Sequence, residues 1–186
     1  MADAQDSNQD DNGLAAVTRE IEEFVATGGW DQPVALFGLV DTTALLATQP
    51  ELTADVDATA PWTPVAQESL PAGELDEALA KIVWPESVAG AALAQEIVVL
   101  PPNAEQGLPT GDEPGGGERL RDAAANHPLR TEARLVAAVL RDGPRACVMR
   151  LRARTDATDT TTTDEIIEHP ELAPNLLHAL EATLRE

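Results

Sequence analysis

Arginine is the residue type whose placement in this chain invites a chemical reading. The formal charge is -21, from 33 acidic and 12 basic residues, yet seven arginines fall between Arg130 and Arg154 against two acids, Glu132 and Asp142. Arg134 precedes one apolar run, and Arg150, Arg152 and Arg154 alternate along a second. Alternate residues of one strand share a face about 7 Å apart, so guanidinium groups spaced this way call for counter-charges. Those come from the chain's own carboxylates or from an acidic segment of a partner protein. Local pairing on a wet sheet face is the ordinary arrangement for such residues and is the expectation here.

A second constellation is Trp30, Asp31, Gln32, Trp84 and Glu86, two tryptophans with polar neighbours at the starts of apolar runs. Aromatics make up 3% of the chain and tyrosine is absent, so each tryptophan carries unusual weight. If the two run starts converge, they form a pocket for a small ligand or a substrate. If the tryptophans are buried in apolar packing instead, they are structural. The remaining chemistry is sparse. One cysteine, Cys147, rules out an internal disulfide and falls on a predicted core face, where a thiol behaves as a small hydrophobe. His127, His169 and His178 lack zinc-ligand spacing. Ser7, Ser69 and Ser87 sit in no nucleophile elbow. Gly115-Gly116-Gly117 has no following lysine and reads as a linker rather than a phosphate loop. Carboxylate pairs such as Glu22-Glu23, or Glu165 with Glu168, read as solvated faces. No catalytic set, metal site or cofactor is expected.

These residues need elements to position them. Cys147, Met149, Leu151 and Ala153 alternate with the three arginines, and Leu135, Ala137 and Val139 alternate with Arg134, Val136, Ala138 and Leu140, giving two strands. Arg141-Asp142-Gly143-Pro144 turns one into the other, with Pro144 outside the pairing because it lacks a ladder donor. Val34 to Val40 and Val88 to Leu100 read as two further strands. Helices are predicted over Leu14 to Thr27, Ala44 to Thr48, Glu74 to Val83, Glu118 to Asn126 and Leu172 to Leu184. Asp55 to Gly73 shows no periodicity and reads as a surface crossing, with Pro101 to Gly117 and Thr155 to Thr163 as polar loops. Met1 to Gly13 has no large apolar group to bury beyond its first residue and is expected to be a disordered acidic tail.

The fold class that follows is α+β, an antiparallel or mixed sheet of about four strands with helices packed mainly on one face, in a single domain over residues 14–186. Its order resembles the secretion-chaperone type of fold, an analogy that carries no function. The acidic field disfavours nucleic acid and anionic lipid. With no apolar stretch of membrane-spanning length, a cytoplasmic protein is expected.

The blocks GGWDQPVALFGLV, WPESVAG, EIVVLPP and RLVAAVLRDG, with CVMRLR and the closing LAPNLLHALEATL, resemble an uncharacterised conserved family of actinobacterial cytosolic proteins over about Leu14 to Glu186. The resemblance implies a single-domain soluble protein and brings no activity or catalytic residues. Three functional classes therefore stand: an interaction, adaptor or chaperone-like module; a small-ligand binder or enzyme with its pocket near Trp30 and Trp84; and an acidic mimic of nucleic acid. The first is favoured, because the core is ordinary and no catalytic set is visible.

Overall fold

The computed structural model describes residues 3–68, 70, 74–101, 116–141, 143–153 and 163–185. Within them the strands are β1 (Ala35–Asp41), β2 (Trp62–Ala66), β3 (Val88–Val99), β4 (Thr131–Leu140), β5 (Arg145–Leu151) and β6 (Glu165–Glu168). They form one antiparallel sheet in the order β2-β1-β3-β4-β5-β6. The sheet thus has six strands where about four were expected. Both extra strands lie at its edges. β2 contains Pro64, tolerated there because an edge strand pairs on one side only, and β6 is only four residues long, too short to show alternation.

The helices are α1 (Asp3–Ala26), α2 (Thr42–Thr48), α3 (Leu75–Leu79), α4 (Gly116–Ala125) and α5 (Pro174–Leu184). They cover both faces of the sheet, not mainly one. On the first face Leu14, Val17 and Ile21 of α1 pack on Phe37, Leu39, Ala92, Ala94, Val136, Ala138, Leu140 and Ala146. On the other, Leu177, Leu180 and Leu184 of α5 and Leu79 of α3 pack on Leu36, Ala91, Leu93, Leu135, Ala137, Val139 and Cys147. Alternation explains the division, since successive residues of the central strands feed opposite cores. It also explains why β3 and β4 read as apolar on both sides.

The first helix begins at Asp3, where a disordered tail had been expected through Gly13. Once Leu14 to Ile21 docks, each residue added at the helix start costs only propagation, not nucleation. Gly13 is part of that docking, because a Cβ at this position would collide with Cγ of Pro61. At the other end the helix stops where Gly29 takes a φ of 80°, a conformation open to glycine at little cost. The third helix is shorter than predicted, Leu75–Leu79 rather than Glu74 to Val83. The stretch from Asp55 to Gly73, expected as a crossing without order, supplies β2, and its Trp62 packs against the α1 core.

Hairpin register follows the sequence closely. Ala133 to Val139 pair with Leu151 to Arg145, and the amide of Leu140 donates to the carbonyl of Pro144, leaving Pro144 beyond the ladder. Arg134 lies opposite Arg150, so both arginines share the α1 face.

Candidate functional site

The α1 face of this hairpin is not wet. Glu22 lies on the same side of α1 as Thr18 and Ile21, which buries it to 1% exposure beside Arg134, also 1% exposed. Two charges so far from water must face one another. Arg150 grips the Glu22 carboxylate with two hydrogen bonds, Nε to Oε1 at 2.7 Å and Nη2 to Oε2 at 2.6 Å, while Nη1 of Arg134 approaches Oε1 at 3.6 Å. The hydrogen bonds to Glu22 raise the Arg150 guanidinium above its ordinary proton affinity. Asp164 adds a contact to Arg150 at 3.9 Å.

Glu96 of β3 extends the network toward the end of α1. Its carboxylate accepts from Arg134 at 3.3 Å and from the backbone amides of Asp31 and Gln32 at 2.9 and 3.2 Å. Arg134 also donates to the carbonyl of Gly29. These bonds hold Asp31 at a φ of 65°, unusual for a residue with a Cβ. Trp30 caps the cluster, with the guanidinium carbons of Arg134 and Arg152 at 4.7 and 5.2 Å from its ring centroid. Arg152 pairs in turn with Glu132. The Nε of Arg134 is the one orphan of the cluster, a buried donor without a partner among the described residues.

The sequence-predicted residues therefore separate. Arg134, Arg150 and Arg152 come together, but beneath and beside α1 and matched to carboxylates of this chain, with Arg134 fully enclosed. Arg154 lies outside the described residues. Trp30 belongs to the same cluster and is half-buried rather than mostly buried. Asp31 and Gln32 contribute backbone amides, and the Gln32 side chain donates to the carbonyl of Gly28. Trp84 is elsewhere, in the α5 core at 8% exposure, with its indole nitrogen donating to Thr183 Oγ1 at 3.0 Å. Its ring comes within 3.0 Å of where a Cβ on Gly38 would sit, which is why that strand position is glycine. Trp84 precedes Val88 while Trp30 sits at Glu96, roughly 26 Å along β3 and on the opposite face. The two tryptophans form no common pocket.

Glu86 is exposed and lines a groove of about 590 Å³ with Asp10, Asp11, Trp62 and Arg141. A larger cleft of about 720 Å³ opens on the other side of the β4–β5 turn, bounded by Asp11, Arg145, Cys147, Glu168, His169 and Glu171. Burial pushes the Cys147 thiol up, which suppresses its thiolate. His169 Nδ1 accepts from the Glu171 amide, and Arg145 is engaged by Glu181 at 2.6 Å. Among the described residues no group of three or more His, Cys, Asp or Glu is placed to hold a metal ion, and no helix is long and apolar enough to cross a membrane.

Two residues that organise the molecule were given no such role by the sequence reading. Glu22 looked like one acid among 33. Arg141, read only as a turn residue, donates to the carbonyls of Val88, Trp84, Pro85 and Leu184, tying the turn to the end of α5. Only the hydrophobic positions flanking Glu22, at Val17, Ile21 and Val25, hinted that it faces inward.

A six-stranded antiparallel sheet between α1 and the α3–α5 layer, with an ion-pair network inside one layer, makes this a three-layer α+β domain. Residues 14–185 match the profile of the PPA1309-like protein family, and the chain belongs to that family. No curated protein and no solved structure matches it.

Proposed function

We propose that the protein is a non-enzymatic interaction module, an adaptor or chaperone-like domain. The observation that carries this reading is the separation of Trp30 from Trp84. Trp30 covers an ion-pair network whose Glu96 accepts from the Asp31 amide, and Trp84 fills an apolar core with its indole nitrogen bonded to Thr183. Side chains so occupied hold the fold and do not converge on a substrate. An acidic partner for the arginine strip loses its support for the same reason, since Arg134, Arg150 and Arg152 each face a carboxylate of the chain.

A small-ligand binder is the second reading, favoured by the cleft beside Cys147 and His169, whose volume suits a small molecule. The two readings part in one experiment on the full chain. Melting curves are recorded against a panel of small metabolites, and tagged protein is used to capture partners from a native cell extract. The module reading expects a discrete co-purifying protein and melts that no metabolite moves. A metabolite that raises the melt saturably, as mass action requires of a specific ligand, overturns it.

A further inference from the structure

We propose that the outer flank of α1 around Phe24 is a docking surface for a basic, apolar segment of another protein. This rests on the reading of the protein as an interaction module and gives that module a surface and a partner chemistry. Phe24 is 64% exposed, although the chain has only two phenylalanines and three tryptophans. The other phenylalanine, Phe37, is buried at 4% and meets the Phe24 ring edge to face, with centroids 6.5 Å apart and planes at 87°. Phe24 is thus oriented by a buried ring and still presents most of its surface to water. An aromatic ring oriented by a buried partner loses less freedom on binding than a free one, a property of interface anchors.

The surroundings state which partner fits. Glu20 is one helical turn before Phe24 on the same side of α1. Burial first, then the carboxylates of Asp57 and Glu23, raise its proton affinity. Both of these neighbours are acids. Beyond Phe37 the sheet continues to β2, an edge strand whose Ala66 is the cross-strand partner of Phe37 and is itself exposed. An apolar anchor bordered by crowded carboxylates is complementary to a large apolar side chain flanked by lysine or arginine. It is mismatched to nucleic acid and to anionic lipid. A second copy of this chain would bring Glu20 and Glu23 against a surface of the same charge.

The test uses the full chain with a short synthetic peptide of lysine and leucine, the leucines at helical spacing, and the same peptide with glutamate for lysine. Amide shifts in labelled protein report the site and titration reports the affinity. The lysine peptide should perturb residues around Glu20 to Thr27 and Val65 to Gln67, and the glutamate peptide should not bind. Phe24→Asn leaves the charge unchanged and should weaken binding roughly tenfold or more, as for a central anchor. Glu20→Gln with Glu23→Gln should weaken it severalfold and flatten its salt dependence. Val83→Asn, at another exposed apolar residue, should leave it unchanged.

Equal binding by wild type and Phe24→Asn, or an equal loss in Val83→Asn, would reduce the effect to attraction toward an acidic protein and overturn the proposal. So would sedimentation showing that wild type self-associates and Phe24→Asn does not, which would make a second copy the occupant. In either case the module reading stands, because it fails only on a metabolite that shifts the melt.

Discussion

The two faces of the sheet are held by different physics. On the α5 face the buried core is apolar, from Trp84 and Leu36 through Leu135 and Ala137 to Leu177 and Leu180, with an indole-to-threonine hydrogen bond set into it and the Arg145–Glu181 pair at its rim. The α1 face begins the same way, with Leu14, Val17 and Ile21, and then changes over one helical turn to Glu22, Arg134 and Arg150. Apolar burial is proportional to area and indifferent to partner identity. A buried ion pair gives back in Coulomb energy what it lost in hydration only when geometry and partners are complete. The Leu14–Ile21 stretch of α1 is therefore held by contacts that tolerate substitution. At Glu22 the helix is held by contacts that specify one register and one docking angle, and the Gly28–Gln32 turn and the Trp30 cap depend on that register.

The largest effect should come from the apolar face. Trp84→Ala removes a buried indole and the hydrogen bond it donates to Thr183, whose hydroxyl keeps its own bond to the Leu180 carbonyl, and should cost about 4 kcal/mol in denaturant unfolding. The loss should be the same at low and high salt. A melt that Trp84→Ala leaves unchanged would mean that the α5 core does not depend on this ring and would return weight to a binding role for it.

The ionic side is broken next. Glu22→Gln removes the carboxylate that Arg150 grips and leaves buried Arg134 with Glu96 as its remaining counter-charge, and should cost about 3 kcal/mol. Replacing Glu22, Arg134 and Arg150 together by leucine and methionine should recover most of that loss, since an apolar set of similar volume needs no hydration returned. If the triple variant is less stable than Glu22→Gln alone, the comparison between the faces is wrong and the network contributes net stability.

The smallest effect sharpens the distinction between buried and exposed pairs. Arg19 grips Glu168 with bonds of 2.6 and 2.8 Å at the rim of the α1 face, with side chains 48% and 39% exposed. Arg19→Ala should cost about 0.5 kcal/mol at low salt and less as salt rises. The arginine holds the Glu168 carboxyl below its usual range. A lowered folded value means stability that is present above the ordinary carboxylate range and lost as pH falls through the lowered one. Wild type and Arg19→Ala should therefore converge in acid, and a gap in their melts that persists there would count against the pairing.

Strand parity was determined by the sequence alone. Period two in Cys147, Met149 and Leu151 against Arg150 and Arg152 assigns each to a face, and no packing can change which residues share one. The turn at Arg141 to Pro144, the helical stripe from Leu14 to Val25 and the shortage of aromatics were likewise local facts. What the sequence left open was what covers each face. Arginines on alternate residues read as a wet surface because exposure is their usual state, and only a glutamate arriving from a helix more than a hundred residues earlier makes burial possible. That partner is set by tertiary approach, so Glu22 carried no distinguishing mark among so many acids. β2 was invisible for a related reason. A stretch with a proline forms a strand only where β1 offers it a ladder, and the separation of Trp30 from Trp84 appears only once β3 is laid out as a single strand between them.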